Sequence, residues 1–158
     1  MIIKKQIFSL QIKLLALLIL ITTSGCSHLN KREKSSKEKF NEINLEIIAN
    51  YSKAISKDPN NELFYLERGK AKYEYGDFKG AIKDFDNSFK INYNMKILFY
   101  RANAKFDFGD HNGAIKDYGE ILSLEKLKDQ AYYNIASSQL ILGKYKSAIT
   151  NYLSLIHI

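Results

Sequence analysis

Three stretches of the chain repeat one pattern without a gap: RGKAKYEYGDFKGAIKDF at 68–85, RANAKFDFGDHNGAIKDY at 101–118 and IASSQLILGKYKSAITNY at 135–152. The first two copies are 33 residues apart, and the second and third are 34 apart. An earlier stretch, 47–59, has the spacing of the second half of the same pattern. Self-similarity at this period indicates a repeat array in which neighbouring copies bury each other's apolar faces.

Each copy has the features of two helices joined by a tight turn. Apolar residues recur at helical spacing on both sides of a glycine. Gly76 and Gly109 suit the end of a first helix, where a positive φ favours glycine. Asp77 and Asp110 suit the N-cap of the next helix, and Ala114 is as small as a close helix contact requires. We therefore expect helices at about 38–57, 62–75, 78–91, 95–108, 112–124, 129–142 and 145–157.

The pattern Gly-(Asp or Lys)-aromatic-x-x-Ala-Ile-x-x-aromatic, at a period near 34, resembles the tetratricopeptide repeat (TPR) family. His111 departs from it at an aromatic position, and Tyr93 stands where the family places a proline. The resemblance covers about residues 45–157. It implies an all-α fold, an α-solenoid of about three helix-turn-helix repeats plus a leading helix. We expect the array to occupy 41–158, with a partial unit at about 45–61 and units at 62–94, 95–128 and 129–158.

The last unit ends in an apolar helical segment, 153–158, with no polar capping helix after it. Solenoid ends normally carry such a cap. Either the last unit is truncated or this end is covered by a partner, and we favour truncation.

By the family's register, the first helices of successive units line a concave groove that binds peptides or partner helices. The resemblance thus implies a protein or peptide partner in this groove. An alternative is that some of the same side chains are buried between repeats. The groove-facing candidates are Leu66, Lys70, Tyr73, Phe99, Asn103, Phe106, Tyr133, Ser137 and Leu140.

The N-terminus has the layout of a secretory signal, with a short basic start and a short apolar run at 14–21. Ser24-Gly25-Cys26 resembles the lipobox of bacterial lipoproteins, although Thr23 stands in place of the usual leucine. The resemblance implies a signal peptide at 1–25 and lipidation of Cys26 with acyl chains such as palmitate. An ordinary cleaved signal and an uncleaved anchor are the alternatives.

Residues 26–40 are polar and charged, so we expect a flexible tether between the membrane and the array. The residue after the cysteine is Ser27, not aspartate. By resemblance to lipoprotein sorting, this places the protein at the bacterial cell envelope, on the outer membrane.

Composition narrows the possible functions. The net charge is +7, and it falls to +4 without the three lysines of the expected signal, too little for a nucleic-acid footprint. The chain has one cysteine and no glycine-rich phosphate loop. We expect no enzyme activity, cofactor, metal, nucleic acid or small-molecule substrate. The predicted function is a membrane-anchored protein interaction scaffold; the alternative is a structural accessory subunit of an envelope assembly or secretion machine.

Overall fold

The computed structural model describes residues 34–156. These residues form seven α-helices and contain no strand. The all-α prediction is therefore confirmed. The helices are α1 at 34–57, α2 at Glu62–Tyr75, α3 at Phe78–Ile91, α4 at Met95–Phe108, α5 at His111–Ile121, α6 at Glu125–Ile141 and α7 at Tyr145–Ser154.

The chain divides into two compact units, residues 1–42 and residues 43–158, and the repeat array lies in the second. From α2 onward each helix packs against the next one along the chain, and α2 also touches α4. The pairs α2/α3, α4/α5 and α6/α7 correspond to the three copies in the sequence, and α1 adds a single helix before them. This nearest-neighbour packing makes the fold an α-solenoid.

The core consists of two clusters, each of which joins successive repeats. One cluster holds Ala81 and Phe85 of α3 against Ile97 and Ala104 of α4. The other packs residues of α4 and α5 against α6, and Phe89 touches both. Its buried members are Leu98, Ala102, Ala114, Tyr118, Ile121, Ala131 and Ile135. The small side chain at Ala114 is fully buried, as a close helix contact requires.

The turn inside each of the first two repeats follows the sequence prediction. Gly76 and Gly109 end α2 and α4 with φ of 94° and 93°. The next residues cap the following helix: the carboxylate of Asp77 accepts a hydrogen bond from the backbone N–H of Gly80, and Asp110 does the same for Gly113. These paired signals are the reason that α2, α3 and α4 have the predicted bounds.

The start of the third repeat was predicted wrongly. Helix α5 ends at Ile121 and α6 begins at Glu125, so the boundary lies near 125 and not at 129. Leu124 occupies the N-cap position and supplies no side-chain hydrogen bond. A helix that begins without a capping side chain gives no start signal in the sequence.

Helices α5 and α7 each end three residues before the predicted bounds, at Ile121 and Ser154. A further difference lies at the start of α1. Residues 34–40, the last part of the expected tether, are helical and exposed. Lys34, Glu38 and Glu42 stand four residues apart in this stretch, and lysine and glutamate are good helix formers. The rest of the tether, the signal region and Cys26 lie outside the described residues.

Candidate partner-binding groove

The first helices of the three repeats, α2, α4 and α6, carry the nine groove candidates. Leu66 and Tyr73 of α2 are half-buried and pack against the cluster of α3 and α4. Phe99 and Phe106 of α4 are half-buried against the second core cluster. Each of these four side chains therefore contributes to the core and also keeps some exposed surface.

The third repeat is more open than the first two. Tyr133 is 55% exposed and Leu140 is 50% exposed. Two large apolar side chains that present about half of their surface on one helix are the groove candidates most accessible to a partner.

Two of the polar candidates, Asn103 and Ser137, are tied to the second helix of their own repeat. The Tyr118 hydroxyl donates to Asn103 Oδ1 at 2.5 Å. One repeat later, Ser137 Oγ lies 3.0 Å from the Tyr152 hydroxyl in the equivalent pairing. Because the tyrosine hydroxyls of the second helices fix their rotamers, Asn103 and Ser137 form rigid parts of the surface.

Tyr73 links two successive first helices. Its hydroxyl donates a hydrogen bond to Asp107 of α4, one repeat further along. Burial raises the pKa of Tyr73 well above its ordinary value, and the bond to Asp107 and the charge of nearby Glu74 add to the effect. Burial likewise raises the pKa of the Tyr118 phenol. Both phenols thus stay neutral at any physiological pH.

A cleft of about 240 Å³ opens between α2 and α4. The rings of Phe85 and Tyr100, both in its lining, stack against each other with centroids 6.0 Å apart. The Lys70 ammonium lies 4.9 Å from the Tyr100 ring centroid and forms an ion pair with Glu67 at 2.7 Å. The lining residues are Lys70, Tyr73, Glu74, Phe85, Tyr100 and Asn103.

Half of this lining was absent from the sequence-based candidates. Tyr100 adjoins the predicted Phe99 and turns toward the neighbouring repeat. Phe85 reaches the cleft from a second helix, which the family register does not assign to the groove. The ring of Phe85 passes so close to Gly69 that a Cβ there would lie 2.7 Å from it. Gly69 has no side chain and so leaves room for the Phe85 ring. A glycine inside a helical stretch is the sequence signal that could have indicated this close approach.

In each of the first two repeats, a buried ion cluster joins the first helix to the second. Asp84, 1% exposed, accepts two hydrogen bonds from Arg68, at 2.8 and 2.7 Å, and pairs with Lys72 at 2.8 Å. Asp117, also 1% exposed, binds Arg101 and Lys105 in the same geometry. Each cluster clamps the first helix of a repeat to the second, since its cations and its carboxylate stand on different helices.

The same guanidinium groups bridge to the preceding repeat. Arg101 Nη1 donates to Asp86 at 2.7 Å, and Arg68 Nη1 donates to Ser52 at 3.1 Å. Ordered bidentate arginines thereby hold each of these first helices against the helix that precedes it, α4 against α3 and α2 against α1.

The third repeat has a neutral version of the cluster. Ile135, Gln139 and Asn151 occupy the places of the arginine, lysine and aspartate. Asn151 Nδ2 donates to Gln139 Oε1 at 2.8 Å. The sequence shows that the arginine, lysine and aspartate recur with the period of the array. It does not show that they are buried, because charged residues are rarely fully buried unless they are paired.

His111 and Asp110 are adjacent residues of the types that can ligate a metal ion. In the structure Asp110 is engaged as an N-cap, and the imidazole packs edge-on against Phe106 with centroids 5.2 Å apart. Within residues 34–156 no group of three histidine, cysteine, aspartate or glutamate side chains is placed to hold a metal ion. Across the same residues, none of the helices is both long and apolar enough to cross a membrane.

Comparison with solved structures finds the same fold in MamA, a TPR-like helical solenoid. Two crystal structures of MamA match with TM-scores of 0.64, at 24% and 22% sequence identity. The alignments cover 70% and 76% of this chain and 66% and 73% of the MamA chains. The MamA RS-1 ArsTM double mutant matches with a TM-score of 0.65 at 12% identity, over 77% of this chain and 74% of that one. At these identities the likeness concerns the fold.

No protein-family profile matches the chain, and no curated protein matches it significantly.

Proposed function

We propose that this protein is an interaction scaffold that holds a protein or peptide partner in the groove formed by α2, α4 and α6. The observation that carries the proposal is the row of partly exposed side chains on these helices, on a backbone that buried ion clusters fix in the first two repeats. A rigid surface with aromatic anchors and a few polar groups has the composition of a binding site. Because the surface is already ordered, little conformational entropy is lost when a partner binds.

The test is site-specific photocrosslinking in cells. A photoreactive side chain at position 133, on the exposed part of α6, should give a discrete protein adduct. The matched control is the same side chain at position 116, which is exposed on the second helix α5. Equal crosslinking from both positions, or none from position 133, would contradict a groove-bound partner.

The second part of the proposal is a membrane tether through lipidated Cys26. Its support is the sequence alone: the basic start, the apolar run and Ser24-Gly25-Cys26. Each buried lipid CH₂ contributes about 0.8 kcal/mol, so two or three acyl chains anchor a protein stably. On this proposal the scaffold acts at the bacterial cell envelope, on the outer membrane.

One observation favours the alternative of a structural accessory subunit. Helix α7 exposes three apolar side chains, Tyr145, Ile149 and Leu153, and the turn after it exposes Ile156. The counterparts of Ile149 in the earlier repeats, Ile82 and Ile115, pack against the core clusters. A helix from a stably bound subunit, or from a further repeat, would cover this face in the same way. Recovery of a stoichiometric complex at high salt would support the accessory subunit, whereas a transient, salt-sensitive complex would support the scaffold.

A further inference from the structure

The cleft between α2 and α4 has an electrostatic character that the composition of the chain does not suggest. Although the net charge is +7, four cations of α2 and α4 are already engaged by buried carboxylates. Arg68 and Lys72 bind Asp84, while Arg101 and Lys105 bind Asp117. Their side chains are 15–18% exposed and face the second helices. The positive charges of these four side chains are thus largely neutralised by carboxylates of the second helices and contribute little at the cleft.

Unpaired acidic groups remain at the cleft. Glu74 lines it, is exposed and forms no ion pair with any residue of the described range. Asp107 adds a second negative charge next to Tyr73 through its hydrogen bond to that hydroxyl. Lys70 is the cation of the lining, and Glu67 neutralises it at 2.7 Å. The summed charge of these groups around the cleft is therefore negative.

The raised pKa of Tyr73 agrees with this negative charge. After burial, its causes are the hydrogen bond and charge of Asp107 and then the charge of Glu74. A negative surrounding disfavours a phenolate and favours a bound cation.

The aromatic walls of the cleft also suit a cation. The ammonium of Lys70 lies over the face of Tyr100, at 4.9 Å from its centroid. The protein's own cation–π contact shows that this ring binds a positive charge, and a partner's cation would take the place of the Lys70 ammonium there. Phe85 and Tyr73 supply two further rings around the same space.

We propose, building on the groove function proposed above, that this cleft receives an arginine or lysine side chain of the partner. The bound cation lies against the aromatic rings and pairs with Glu74. Asn103 contributes a second contact: its Oδ1 accepts from Tyr118, while its Nδ2 donates to no residue of the described range. That amide is placed to donate to a backbone carbonyl of the partner segment. The partner segment is thus basic, with one long cationic side chain inserted between the first two repeats.

The experiment is a titration of the isotope-labelled full chain in detergent with four small probes, followed by NMR. The probes are the N-acetyl amides of arginine, lysine, glutamate and leucine. The arginine and lysine probes should give saturable shifts of the Asn103 side-chain amide and of the backbone amides of Glu74 and Tyr100. Glu74→Gln should weaken their binding about two- to fivefold, the range of a partly exposed charge pair. Tyr100→Leu should weaken it similarly because the ring face is lost.

The matched control is Glu120→Gln, which removes the same charge from an exposed position on α5. It should leave both the amide spectrum and the probe affinity unchanged. Tighter binding of the glutamate probe, equal binding of the leucine probe, or no shift at the cleft would overturn the inference. Because these probes need no protein partner, the result is independent of the crosslinking test. A partner that crosslinks normally while the cationic probes fail would remove the inference and leave the groove function standing.

Discussion

The buried cluster around Asp117 gives the sharpest stability prediction. The Asp117→Ala variant removes a carboxylate that is 1% exposed and accepts from Arg101 at two positions and from Lys105 at 2.8 Å. Both cations are then left in a site where their side chains are 15% and 17% exposed. Breaking a buried pair on one side costs about 3–5 kcal/mol. We expect the lower end, about 3 kcal/mol, because Arg101 keeps its bond to Asp86.

The chain contains its own control for this experiment. Asn151→Ala removes the equivalent residue of the third repeat, where the partner is neutral Gln139 at 2.8 Å. Loss of one neutral hydrogen bond costs about 1 kcal/mol. The measurement is urea unfolding followed by circular dichroism, with the whole transition fitted because repeat arrays can unfold in parts.

A triple variant tests the reasoning further. Arg101→Ile with Lys105→Gln and Asp117→Asn copies the third repeat into the second. Replacing a complete buried ion cluster by well-packed residues is often neutral, so this variant should lie within about 1–2 kcal/mol of the wild type. An Asp117→Ala variant with wild-type stability, or a triple variant as unstable as the single one, would refute the account of the cluster.

Three further predictions concern the core, the buried phenols and the anchor. Ala114→Phe should destabilise the array by about 1–3 kcal/mol or more, because a ring has no room at a fully buried position, and a thermal melt measures this loss. In an alkaline absorbance titration, Tyr73 and Tyr118 should ionise after the other tyrosines, and the late fraction should shrink in Tyr73→Phe. Since their folded pKa values exceed the unfolded value near 10, their contribution to stability is complete below about pH 10 and is lost above it. Cys26→Ser should leave an unprocessed precursor and release the protein from the membrane fraction, and unchanged migration and fractionation on a gel would contradict lipidation.

The sequence predicted the fold well wherever local chemistry marks an element boundary. Gly76 with Asp77, and Gly109 with Asp110, fix the two turns, and the bounds of α2 to α4 agree with the prediction. The start of α6 was missed because Leu124 gives no capping signal.

The candidate site could be predicted only in part. Register places Lys70, Tyr73 and Asn103 on first helices, and the structure gathers them at one cleft. Their division between core and groove depends on how deeply each side chain packs, which periodicity does not specify. Asp84 recurs one repeat later as Asp117, which the sequence shows, but its burial follows from partners on another helix. Such pairings between helices are tertiary contacts, which local pattern does not encode.

The central claim, that a partner lies in the groove of the first helices, is tested most directly by affinity and melting temperature measured on the same samples. The variant is Tyr133→Ala with Leu140→Ala, at two side chains about half exposed. Lys83→Ala with Lys116→Ala, exposed on the second helices, is the control. With the partner identified by crosslinking, the groove variant should keep its melting temperature and lose at least tenfold in affinity, about 1.4 kcal/mol, while the control keeps both. A folded groove variant that binds as tightly as the wild type would contradict the claim.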